Sequence, residues 1–205
     1  AYGLNYDLKP KYDHENISEL QQDKLKVENS IKENIEILTH WNQKNKGINK
    51  PKMVFINTSG GGLRSALWTV HVLNFLDSIT KQRLTKQTHL ITGASGGMIG
   101  AAFYRENYKK GIYGETMVNG NEMKRRISKD LLNPLAFSIA TTDMFYRFKK
   151  HDDGKYIYTK DRGWFFEKNL IENLNCFEGK RILDYKLPEY HLSLIHISEP
   201  TRPMN

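Results

Sequence analysis

Two short stretches of this chain combine residue types and spacing that could perform acyl transfer. Gly93-Ala94-Ser95-Gly96-Gly97 places a serine at the centre of a G-x-S-x-G motif. Its physical use is specific: a sharp strand-to-helix turn lifts the Ser95 hydroxyl clear of the backbone, and small neighbours let the chain turn without clashes. A helix starting at such a turn also directs free N–H groups and a positive dipole end toward developing negative charge. Upstream, Ser59-Gly60-Gly61-Gly62-Leu63-Arg64 offers three glycines in a row. Their unobstructed N–H groups suit an oxyanion hole for a tetrahedral intermediate. Alone, the first motif is equally an ordinary glycine-rich βα turn, and the second could cradle a phosphate. The second lacks the Gly-Lys-Ser/Thr ending of a nucleotide-binding P-loop.

The elements around these loops follow from hydropathy. Met53–Asn57 and Thr88–Thr92 are short apolar runs bounded by turn residues and read as buried strands. Leu63–Ile79 and Met98–Tyr108 read as helices, the first with Leu63, Leu67, Val70, Leu73 and Leu76 or Phe75 available for one face. Strand, glycine turn, helix, occurring twice in succession, is the order of a parallel sheet with crossover helices. Asn16–Gln43 carries apolar residues at steps of three, four and seven and reads as a long amphipathic helix, joined by a basic linker over Lys44–Lys52. Further helices are expected near Met123–Leu132, ended by Asn133-Pro134, and near Trp164–Asn173. Ala136–Phe148 is aromatic and apolar, fitting core, lid or a lipid-facing surface.

Together the two loops resemble those of the patatin-like phospholipases, which carry Asp-Gly-Gly-Gly-x-Arg-Gly, then G-x-S-x-G, then a distant Asp-Gly-Gly or Asp-Gly-Ala. The match runs through Gly60, Gly61, Gly62 and Arg64, and through Gly93, Ser95 and Gly97. It departs at Ser59, where the family often has Asp, and at Ser65, where it often has Gly. The resemblance implies a three-layer α/β/α fold with a mainly parallel sheet, and hydrolysis of lipid acyl esters by a Ser-Asp dyad without cofactor or metal. Ser95 would be the nucleophile and Gly60, Gly61 and Gly62 the oxyanion loop. Arg64 reads first as a structural anchor for a carboxylate and second as a charge beside that loop. Lipid or phospholipid would be the substrate, with peripheral contact to an anionic membrane.

The dyad acid is harder to place. Asp153-Gly154 is the only Asp-Gly pair, and Lys155 follows it where the family has a small residue. A plain turn is the better reading, so the acid is expected beyond His191. There Leu192–Arg202 matches an in-frame translation of a transposon-library sequencing adapter, and residues 192–205 are set aside as a non-native tail. This divides the chain into a helical segment and linker over residues 1–50, a partial catalytic domain over 51–191, and the tail. His71 and His89 fall on apolar elements and read as core or edge residues.

Two other classes remain. Thr92–Gly100 also resembles the Thr-Gly-x-x-x-Gly-x-Gly turn of NAD(P)-binding short-chain dehydrogenases, and Tyr156 and Lys160 form a Tyr-x-x-x-Lys. In that family the pair lies farther from the glycine turn, and nothing in it accounts for Gly60–Gly62. A net charge of +8 also fits a non-catalytic basic module on anionic membranes. Nucleic acid is not expected as a partner, since neither zinc-finger spacing nor an aromatic RNA-binding signature is present. No stretch approaches the roughly 20 apolar residues of a membrane span, and no signal peptide is visible, so a cytoplasmic or peripheral-membrane location is expected.

Overall fold

The computed structural model describes residues 15, 18, 19, 22–145, 150–152, 154, 157–180, 182–185, 187, 188 and 195–198. The chain falls into two compact units. One joins residues 21–128 to 179–205; the other joins residues 1–20 to 129–178.

The first unit holds a parallel sheet, so the α/β class expected from the strand–helix order is present. β1 (Val54–Thr58) and β2 (Thr88–Gly93) are parallel, in the order β1-β2-β5 with β5 at Ile195–Ser198. That third strand falls in the segment set aside as a tail: backbone pairing needs only an extended run beside the free edge of β2. α2 (Gly62–Ile79) crosses from β1 to α3 (Arg83–Gln87), which leads into β2; α4 (Ser95–Ile112) follows β2. The helix expected over Asn16–Gln43 breaks at Asp23: Ser18, Glu19 and Gln22 are helical, and α1 (Lys24–Lys44) begins where the Asp23 carboxylate accepts from Lys26 N–H at 3.2 Å and caps it. It belongs with the sheet: Trp41 Nε1 donates to the Gln87 carbonyl at 2.9 Å, and Asn45 Nδ2 to the Lys86 carbonyl at 3.3 Å. α5 (Gly120–Ile127) follows, with Met123 and Ile127 buried.

α2 and α4 pack on each other through small residues. A Cβ added at Gly96 would strike the Gly62 carbonyl, and one at Gly100 the Ala66 carbonyl. The backbones therefore touch, and the buried side of α2 is Ala66, Thr69, Val70 and Leu73. This corrects the expected face: Phe75 is exposed, and so is His71, which lies outside the core. Gly100→Ala is expected to lower the melting temperature by several degrees, at about 2–4 °C per kcal/mol lost. The collision with backbone outweighs the roughly 1 kcal/mol that alanine contributes to helix propensity. A melting temperature that rises would show that the helices do not touch there.

In the second unit, α6 (Leu132–Ser138) leads into a π-helical stretch at Ile139–Asp143. Pro134, expected to end a helix, lies in the first turn of this one, where a missing N–H breaks no bond. Asp130 caps that turn, accepting from Leu132 N–H at 2.8 Å. β3 (Lys150–Asp152) and β4 (Ile157–Thr159) pair antiparallel, and α7 (Arg162–Leu174) follows with Asp161 as its cap. Phe137, Met144 and Phe145 are exposed, so these apolar residues line surface, not core.

Candidate active site

The register of the sheet brings the two glycine turns together. Ile56 pairs with Ile91, Asn57 with Thr92 and Thr58 with Gly93, so both strands end at one level. Their following loops, Ser59–Gly61 and Ala94, must then lie side by side at the carboxyl edge of the sheet, where ligands of open α/β sheets bind. The junction is pinned: Ala94 N–H donates to the Thr58 carbonyl at 3.2 Å, and the Thr58 hydroxyl to the Thr92 carbonyl at 3.3 Å.

Ser95 is the first residue of α4, follows an extended Ala94, and is exposed. Its φ is +53°, a left-handed conformation that costs a non-glycine residue on the order of 1–3 kcal/mol. The surroundings enforce it. Gly93 lies against Thr58, Gly96 under Gly62, and Gly97 against the Ser59 carbonyl, so each lacks room for a side chain. The upstream loop comes close at Gly60, where an added Cβ would stand 3.3 Å from Ser95 Cβ and 3.9 Å from its Oγ.

Gly60, Gly61 and Gly62 are exposed. Gly61 has φ +137° and Gly62 φ +61°, conformations that favour glycine. α2 begins at Gly62 and α4 at Ser95, so two helix N-termini with unpaired N–H groups meet around the serine. That is an arrangement suited to stabilising a negative oxygen. Ser65 closes the loop, its hydroxyl donating to the Ser59 carbonyl at 2.7 Å. This positioning role was missed in the sequence, where Ser65 stands out only as a departure from Gly.

Arg64 is exposed and pairs with no carboxylate among the described residues. Likewise, no Asp, Glu or His among the described residues hydrogen-bonds Ser95. Asp153 lies outside the described residues; Gly154 beside it has φ +83° and donates its N–H to the Asp152 carboxylate at 2.8 Å, as in a turn. Tyr156 of the dehydrogenase reading also lies outside the described residues, and the Lys160 ammonium sits 5.0 Å from the Trp164 ring centre. No cluster of His, Cys, Asp and Glu able to hold a metal occurs among the described residues. Among them, too, no helix is long and apolar enough to cross a membrane. Compared with known proteins, the chain matches no family model, no curated protein and no solved structure.

Proposed function

We propose that this chain carries the nucleophile and oxyanion loop of a serine hydrolase acting on carboxylic esters of lipids, with the patatin-like three-layer architecture. One observation carries the reading. An exposed serine is held at φ +53° on a strand-to-helix turn, with the Gly60–Gly62 loop packed against it. A strained, exposed hydroxyl beside two helix N-termini has a use in nucleophilic catalysis. The sheet face bearing Phe55, opposite the face on which Ile56 and Thr58 lie, leaves Phe55 exposed, as a surface for the third layer would.

Ser95 Oγ attacks the ester carbonyl, and its proton passes to a carboxylate base, as the family resemblance implies. The carbonyl π pair moves to oxygen, where N–H groups of the Gly60–Gly62 loop stabilise it. Collapse expels the alcohol, and water resolves the acyl-enzyme to free acid and Ser95. The enzyme would work in the cytoplasm or at a membrane surface.

The test is covalent labelling of the full chain with a fluorophosphonate, mapped by peptide mass. Label on Ser95, lost in Ser95→Ala, is the expected result. A dehydrogenase or a binding module would take no label, and its absence at Ser95 from a chain that also carries the carboxylate base would sink the reading.

A further inference from the structure

The outer side of α2 is built unlike the surface of an ordinary crossover helix. Arg64, Trp68, His71, Phe75 and Ile79 recur at steps of three and four, so they share one side of the helix. All five are exposed: Trp68 by 66%, Phe75 by 57% and Ile79 by 59%. The stripe extends about 22 Å at 1.5 Å per residue. It carries no carboxylate. Asp77, the acid of the helix, turns away and accepts from Thr85 N–H at 3.0 Å. Near its cationic end, α2 starts at Gly62, whose carbonyl packs on Gly96 beside Ser95.

We propose that this side of α2 docks on an anionic lipid bilayer and so brings Ser95 to the membrane interface. The composition selects that occupant. Tryptophan prefers the headgroup level, where its ring is buried and its N–H stays wet. Phe75 and Ile79 supply apolar area for the acyl boundary, and Arg64 a cation for the lipid phosphates. A second copy of the chain fits poorly, because a face with a cation and no anion does not complement itself. The net charge of +8 attracts the whole molecule to the same surface. The purpose of the docking rests on the lipid-hydrolase reading, but binding itself is measured without turnover.

The experiment is cosedimentation of the full chain with vesicles of phosphatidylcholine, with and without phosphatidylglycerol. The chain should partition onto the phosphatidylglycerol vesicles, and added salt should weaken it. Trp68→Ala/Phe75→Ala should lower partitioning roughly tenfold or more, and Arg64→Gln about fivefold. Tryptophan emission lost in Trp68→Phe should be the part quenched by brominated acyl chains, a readout needing no apolar truncation. Failure to bind phosphatidylglycerol vesicles, or equal binding by the double variant, overturns the docking face whatever Ser95 labelling shows. So does a wild-type dimer that Trp68→Ala/Phe75→Ala dissociates, which would assign the face to a second copy. With the carboxylate base present, Ser95 labelling should persist in the double variant; its absence from the wild type under that condition would instead count against the hydrolase reading and leave the vesicle result standing.

Discussion

Gly61→Val is expected to cut Ser95-dependent ester turnover by about 10²–10³-fold, the loss seen when one oxyanion donor is removed. Gly61 has φ +137°, and a Cβ there would stand 3.1 Å from Ser65 Cβ. A branched side chain must therefore shift the loop, break the Ser65–Ser59 tie, or both, and the adjoining N–H groups move off the developing oxyanion. That contact strengthens in the transition state, so the deficit should fall on kcat more than on KM. A short-chain ester and a chain that carries the carboxylate base, with Ser95→Ala as the background rate, provide the measurement. Turnover equal to wild type would show that the loop has another role.

The largest effect on stability is expected at Glu106, far from any proposed chemistry. Its side chain on α4 is 1% exposed, and its carboxylate pairs with Lys180 and with Lys109 at 3.1 Å. Lys180 belongs to the returning segment, on which Tyr185 lies under the Arg105 guanidinium at 4.3 Å. Glu106 thus anchors that segment to α4. Burial pushes its carboxyl upward, but the hydrogen bonds from Lys180 and Lys109 outweigh this and hold it below the ordinary carboxylate value. Glu106→Gln should cost about 2–3 kcal/mol at neutral pH. That is less than the roughly 3–5 kcal/mol of a fully buried pair, because Lys180 reaches water. A folded pKa below the unfolded one means the stabilisation is complete above about pH 4.5 and fades as pH falls through the folded value. Urea denaturation of both proteins should show their difference shrinking in acid. A constant difference down to pH 3 would mean the carboxylate charge is not what holds the segment.

The elements that place Ser95 were legible because each is announced twice, by an apolar run and by the glycines that end it. Helix faces were less so. α2 is apolar on nearly every side, and its periodicity favours Leu63, Leu67 and Leu76 as the core. The contact with Gly96 and Gly100 instead admits only small side chains, so Ala66 and Thr69 face inward and Trp68 and Phe75 outward. Backbone proximity of that kind depends on a partner helix, which a single-helix pattern does not contain. Pro134 misled for a related reason: a proline forbids the helix before it and permits the one it begins.

The shared ending of β1 and β2 also limits how this chain can vary in length. Each added residue advances a strand by about 3.3 Å and reverses every side chain beyond it. An insertion within Phe55–Thr58 would carry Gly60 past Ser95 and turn Ile56 away from the helices. Between Val54 and Phe55 the register already shifts, with His89 the extra residue on β2. Length changes can accumulate before that irregularity and not after it, so the last four residues of β1 act as a gauge block for the distance between Ser95 and the Gly60–Gly62 loop.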